Sequence, residues 1–336
     1  HLHDEDYFDK TINCLSIPLK KILTNMLKYP LEYTTLANPK RIATASSLTG
    51  IILQRISNDV FGGTMLPNLD ICFQEMIDEG YLEKPTEKEV QQAMQSLICN
   101  LQTLRSRAGN QIPFSSITLG LSSGKYGRMV TKYILEEFIK GDAIGSTFIF
   151  PNLTFKLLKG INFEKEDVNY DLYQLALKAA GSRMNPTFTL LDSPVYAKYK
   201  PKEVNIMGCR TFVLGNVNGE EVSEGRGNLF PTTLNLPRIA LVSKGEIYNK
   251  DLNSFFKILK QKLDIVKEVS DIRLAALNKL KAYDIPYLFG NQIYYNSDKI
   301  NLQKEDSIKE AMKQGSISIG FVGLAECVKA LIGSHH

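Results

Sequence analysis

Tryptophan is absent from this chain of 336 residues, and histidine occurs four times, as His1, His3, His335 and His336. The interior therefore offers no imidazole base, which excludes Ser-His and Cys-His nucleophilic catalysis there. The five cysteines, Cys14, Cys72, Cys99, Cys209 and Cys327, are odd in number, widely spaced and without a C-x-x-C pair. That pattern excludes a disulfide scaffold and a zinc ribbon. Charge, glycine or proline interrupts every apolar run before the ~18 residues a membrane helix needs. Internal repeats and low-complexity tracts are missing too. The opening His1-Leu2-His3-Asp4-Glu5-Asp6 has neither a basic nor an apolar region of a signal peptide, so the expected location is the cytoplasm. An opening without Met and the close Gly333-Ser334-His335-His336 suggest a piece of a longer polypeptide.

What remains is the composition of an ordinary globular protein: 43% hydrophobic, 23% charged, 13 prolines dispersed along the chain. The length suits one large α/β domain or two ordinary ones. A net charge of +4 is shallow, and Lys20, Lys21, Lys257, Lys260 and Lys262 recur at helical spacing beside acids. That reads as solvated helix faces and not as a nucleic-acid stripe.

Thr86-Glu87-Lys88-Glu89 is a capping box, followed by an apolar stripe at Val90, Ala93, Met94, Leu97, Ile98, Leu101 and Leu104. The back of this helix, with Gln91, Gln92, Gln95, Asn100 and Gln102, is compatible with solvent, a partner subunit or a bound effector. A second long helix is predicted over 253–281, with Leu263, Val266, Ile272 and Leu277 among its buried residues. Further helices are predicted near 39–60, 68–80, 127–140, 168–181, 304–314 and 323–332. Strand-like runs lie at 112–119, 147–150, 187–191, 238–242 and 316–321. Strands alternating with helices predict an α/β fold, closed or barrel-like because so many strands end in glycine or proline.

Several segments carry chemistry. Cys14, in Ile12-Asn13-Cys14-Leu15, is either a small buried hydrophobe or a working thiol. Cys209, in Met207-Gly208-Cys209-Arg210, stands beside a cation that would lower its pKa, and it too has both readings. Gly225-Arg226-Gly227-Asn228 and Asn235 combine glycines that permit close approach with amides that donate and accept; a turn leading into a strand is the alternative. His1, His3, Asp4 and Asp6 lack a further cluster to complete a metal set, so no metal site is expected. Gly120-Leu121-Ser122-Ser123-Gly124-Lys125 imitates a phosphate loop, but it is one residue short and Tyr126 replaces the Ser or Thr. A helix start at Ser122 or Ser123 could still hold an anion.

These segments together resemble the anaerobic, class III ribonucleoside-triphosphate reductases, a glycyl-radical enzyme family. The resemblance runs in order through His1-Leu2-His3-Asp4, Ile12-Asn13-Cys14, Asn38-Pro39-Lys40, Gly62-Gly63-Thr64, Gln91-Gln92-Ala93-Met94-Gln95 and Asn110-Gln111-Ile112-Pro113-Phe114. It continues through Met207-Gly208-Cys209-Arg210, Gly225-Arg226-Gly227-Asn228, Leu234 to Leu241 and Ser316-Ile317-Ser318-Ile319-Gly320.

The resemblance implies a ten-stranded α/β barrel with a central finger loop, incomplete in this chain. Cys209 falls on the thiyl-radical position at the loop tip, and Cys14 on the cysteine that donates hydrogen to the ribose. Asn13 and Asn228 match active-site asparagines, and the first histidine of the opening motif places His1 near the site. Thr44 and Ser46 are expected substrate contacts near the barrel mouth. The Cys-plus-Asn set resembles the branch that uses formate as reductant. Implied partners are ribonucleoside triphosphates, dNTP and ATP effectors, a radical-SAM activating enzyme and a second copy in a homodimer, with helix 86–107 at that interface; neither nucleic acid nor membrane is expected.

Residues 1–336 are thus expected to be a partial catalytic barrel. The family's N-terminal ATP-binding module, its glycyl-radical loop and its four-cysteine zinc site have no match here, so the chain alone should not turn over. A glycyl-radical enzyme of the formate-lyase type is one alternative, although that group carries adjacent cysteines at the loop tip. A non-catalytic nucleotide-binding paralogue is the other.

Overall fold

The computed structural model describes residues 10–31, 34–105, 110–208, 211–243 and 252–334. Ten helices and seven strands follow one another among them. In chain order they are β1 (Leu15–Ser16), α1 (Leu19–Leu23), α2 (Ile42–Ser57), β2 (Thr64–Leu66), α3 (Leu69–Asp78), α4 (Glu87–Thr103), β3 (Ser115–Leu119), α5 (Lys125–Lys140) and β4 (Asn152–Leu157). Then come α6 (Tyr170–Arg183), β5 (Thr187–Leu190), β6 (Asn228–Asn235), α7 (Leu236–Ser243), α8 (Leu252–Leu277), α9 (Lys309–Met312), β7 (Ser316–Val322) and α10 (Leu324–Ile332).

Strands β1 to β5 form one parallel sheet in sequential order, each joined to the next through helices. Alternation along the strands gives the sheet two different faces. Ile117 and Leu119 of β3 and Leu153, Phe155 and Leu157 of β4 enter the main core with the buried residues of α1 to α6. The other face is polar: Ser116 and Thr118 lie beside Asn152 and Thr154 in register, and Lys156 beside Thr189. A polar sheet face normally meets water, yet Ser116, Thr118, Thr154 and Lys156 are each at most 2% exposed. Residues 201–208 lie against this face, and their hydrogen bonds reach it at Thr118, Lys156 and Ser116. Helices on one face of the sheet and a chain segment on the other fit the incomplete barrel with a central loop that the resemblance implies.

The edge strand β1 is also covered on its far side. Asn13, Cys14 and Ser16 donate their amides to the carbonyls of Leu229, Asn228 and Arg226 at 2.8, 3.0 and 2.9 Å, and Gly225 donates back to Ser16 at 2.8 Å. The two segments run in opposite directions. Downstream of this seam, β6 pairs in parallel with β7. A smaller apolar cluster of Leu236, Ile239, Ala240, Phe255 and Cys327 ties α7, α8 and α10 together.

The capping box opens α4 as expected: Glu89 donates its amide to the Thr86 hydroxyl at 3.3 Å, and Thr86 donates its own to the Glu89 carboxylate at 2.8 Å. Four expectations are corrected. Residues 238–242 are not a strand but part of α7, because the Asn235 side chain accepts the Arg238 amide at 3.0 Å as a cap and Pro237 sits in the first turn of the helix. Residues 147–150 join no sheet, since Gln102 takes the amides of Ile149 and Phe150 at 3.2 and 3.0 Å. In α8, Ile272 and Leu263 are exposed, while Arg273 is buried with its guanidinium 4.7 Å from the Phe230 ring centre. The predicted helix near 304–314 shortens to α9.

The phosphate-loop mimic is filled by side chains of the protein's own. Asp70 accepts the amides of Gly120 and Ser122 at 2.9 and 3.0 Å, and Gln74 accepts those of Tyr126 and Gly127 at 2.8 and 2.9 Å. Burial pushes the Asp70 carboxyl up, and the amides with nearby Lys156 pull it down. Asp70→Ala would leave two buried amides without an acceptor, so urea unfolding of the intact protein is expected to show a loss of about 2–4 kcal/mol.

Candidate active site

The seam between residues 13–16 and 225–229 sets two amides face to face. Asn13 donates its side-chain Nδ2 to Asn228 Oδ1 at 3.0 Å, across 215 residues of sequence. Asn228 in turn donates its own Nδ2 to the Ser318 hydroxyl at 2.8 Å and to the Ser316 carbonyl at 3.1 Å. Both asparagines are buried, at 6% and 0% exposure. Glycines make this closeness feasible, as the sequence suggested for Gly227. A Cβ on Gly227 would lie 1.8 Å from the Cys14 carbonyl oxygen, and one on Gly62 would lie 2.0 Å from Asn13 Oδ1.

Cys14 is fully buried and shares an apolar cluster with Met65, Met207 and Val213. Its Sγ accepts the Gly63 amide at 3.4 Å. Met207 and Val213 belong to the covering chain, so this cluster seats that chain beside Cys14. Met207 donates its amide to the Thr211 carbonyl at 3.0 Å, and Ile206 and Phe212 form an antiparallel bridge. Gly208 donates to Ser116 Oγ at 3.3 Å, and a Cβ there would press on Phe114 at 2.9 Å. Ser316 of β7 reaches the same loop, donating to the Phe212 carbonyl at 3.2 Å.

Cys209 and His1 lie outside the described residues. The structure therefore brings Asn13, Cys14 and Asn228 together and places the residues flanking 209–210 against the same wall. Thr44 and Ser46 stand elsewhere: Ser46 is buried in α2 and donates its hydroxyl to the Ala93 carbonyl of α4 at 2.7 Å, and Thr44 is exposed on the same helix. No group of three His, Cys, Asp or Glu side chains is placed to hold a metal ion among the described residues.

A family model described as anaerobic ribonucleoside-triphosphate reductase matches residues 1–336. The chain belongs to that family. It is 34% identical to the anaerobic ribonucleoside-triphosphate reductase of Salmonella typhimurium over 100% of this chain and 49% of that protein. It is 32% identical to the enzyme of Enterobacteria phage T4 over 99% of this chain and 58% of that protein. A solved structure of the anaerobic ribonucleotide reductase from Thermotoga maritima, with citrate in the active site, superposes with a TM-score of 0.61 at 18% identity. It covers 98% of this chain and 57% of that one. Another structure from Thermotoga maritima carries dATP in the specificity site, with a TM-score of 0.58. The chain spans about half the length of the curated bacterial relatives it matches.

Membership accounts for the fold: a reductase barrel with a finger loop, of which the described residues form one parallel half and the seam to the next strands. Sequence reasoning missed the two serines that hold Asn228. Their signal was the alternation of Ser316 and Ser318 with Ile317 and Ile319, which sets both hydroxyls on one side of β7.

The chain requires an amide at 228, because only Nδ2 can donate to the Ser316 carbonyl. Asn228→Asp would point a carboxylate at that carbonyl in a buried site. The expected cost is about 2–4 kcal/mol at neutral pH, smaller in acid where the protonated carboxyl regains one donor. Thermal unfolding of the variant at both pH values measures it.

Proposed function

We propose that the protein containing this chain reduces ribonucleoside triphosphates to deoxyribonucleoside triphosphates by thiyl-radical chemistry. The observation that carries this reading is the hydrogen-bonded Asn13–Asn228 pair next to the buried Cys14. Two amides back to back offer neutral donors and acceptors for the two hydroxyls of a ribose without placing a charge beside it. The surroundings of Cys14 are Met65, Met207 and Val213, an apolar wall around a fully buried sulfur. Hydrogen-atom transfer uses the neutral S–H bond and needs no base, which fits a chain interior without histidine.

The roles follow the resemblance residue by residue. The Cys209 sulfur takes the 3′-hydrogen of the ribose and later returns it, since its S–H bond is close in strength to that C–H bond. Cys14 delivers hydrogen to the 2′ carbon after the hydroxyl has left as water. Asn13 and Asn228 hold the hydroxyls, and His1 lies near them. The family's glycyl radical supplies the oxidising equivalent that starts this exchange. Formate as the reductant, dNTP and ATP as effectors, a radical-SAM activating enzyme and a homodimer belong to the same proposal. A zinc site belongs to it as well, together with the reading of residues 1–336 as part of a larger catalytic barrel.

In the full-length protein, Cys209→Ala is expected to abolish deoxyribonucleotide formation while the glycyl radical, followed by electron paramagnetic resonance, still forms. Near-normal turnover would refute the role. Cys14→Ala is expected to stop reduction yet permit exchange of the 3′-hydrogen with solvent, and an unchanged rate of reduction would contradict its donor role.

A further inference from the structure

Lys156 lies on β4 with its side chain on the polar inner face of the sheet, 1% exposed. Among the described residues no carboxylate pairs with it. Its ammonium instead donates to Asn68 Oδ1 at 2.6 Å, to the Lys202 carbonyl at 3.2 Å and to the Pro201 carbonyl at 3.3 Å. Burying an ammonium without a counterion is costly, so a lysine in this place needs its three acceptors. Two of them are backbone carbonyls at the root of the covering chain. Asn68 supports the same root, donating Nδ2 to the Lys202 carbonyl at 3.0 Å, and Asn205 does so at 2.9 Å.

From this root six residues lead to Gly208, which rests on Ser116 beside Asn152. Asn152 and Lys156 share one face of β4 four residues apart, about 13 Å along the strand. The lysine therefore holds one end of a span whose other end lies in the candidate active site. We propose that Lys156 is a positioning residue: its three hydrogen bonds set the depth at which residues 201–208 lie along the sheet, and so the placement of Met207 and Gly208 beside Asn13, Cys14 and Asn228. Its consequence for turnover rests on the function proposed above for Cys209; the clamp itself does not.

Burial lowers the Lys156 ammonium to about 7. Asp70 of α3, Glu203 at the finger root and Glu224 ahead of β6 pull it up, and Lys202 pulls it down. An ammonium has three N–H donors and a neutral amine two. Rising pH through about 7 therefore removes one of the three clamp bonds. The unfolded chain keeps this proton to about 10, so over the same interval the group makes the folded state more stable as pH rises. Loop order and global stability thus respond to this lysine in opposite directions, which no purely structural role would produce.

The test uses the full-length protein, wild type and Lys156→Gln, with amide hydrogen exchange of residues 202–208 corrected for intrinsic rates at about pH 6 and about pH 9. Wild-type protection there is expected to fall about tenfold from the lower to the higher pH. Lys156→Gln is expected to show low protection at both, with kcat for reduction down about tenfold at the lower pH, KM little changed, and a flattened pH profile. Should that variant not fold, Asn68→Asp sets a carboxylate beside the ammonium and should move the loss of protection to higher pH. Wild-type protection independent of pH, unaltered protection in Lys156→Gln, or altered protection with unaltered turnover each overturns the proposal. Failure of the function reading shows separately, in the Cys209→Ala variant.

Discussion

Four backbone hydrogen bonds between residues 13–16 and 225–229 hold together two parts of the chain more than 200 residues apart. They satisfy the outer edge of β1, which would otherwise present open amides and carbonyls. They also set the register that brings Asn13 opposite Asn228. Close approach at this seam depends on Gly227, whose missing side chain leaves room for the Cys14 carbonyl. The amide pair, the buried thiol and the two serines of β7 all follow from that one contact.

The second constraint is the polar inner face of the sheet. Parallel strands packed under helices are usually apolar on both sides. Here one side carries Ser116, Thr118, Thr154 and Lys156, all buried, with Asn152 half-buried beside them. The finger chain supplies carbonyls to Lys156, an asparagine to Thr118 and a glycine amide to Ser116, while the hydroxyls of Thr154 and Thr189 on the same face stay buried without a partner among the described residues. The apolar side chains Met207 and Val213 then seal the end of the finger against Cys14. Polar anchoring at residues 201–205 and apolar packing at Met207 and Val213 hold the described parts of this segment against the sheet.

Much of this was legible from local pattern. The capping box and apolar stripe of α4, the strands 187–190 and 316–322, and the close approach at Gly227 all appeared as read, since each depends on neighbours in sequence. The misreadings had a common source. Residues 238–242 are rich in β-branched and aliphatic side chains, yet the Asn235 cap and Pro237 made a helix of them. Residues 147–150 looked like a strand, but a glutamine from α4 took the amides a ladder would need. Arg273 displaced Ile272 from the buried side of α8 because the Phe230 ring lies in reach of its guanidinium.

The sequence by itself determined the family, through ordered short motifs, and the chemistry available: two separated cysteines, paired amides and no interior imidazole. By resemblance it also pointed to Cys14 and Asn228, which the fold brings to adjoining positions across the seam. Only the tertiary structure decided that Asn13 and Asn228 bond to each other, that Ser316 and Ser318 orient the second amide, and that Lys156 grips the root of the finger. Those contacts join residues tens to hundreds of positions apart, and no local propensity encodes them. They arise when strand register, glycine clearance and the demand that buried polar groups be satisfied act together.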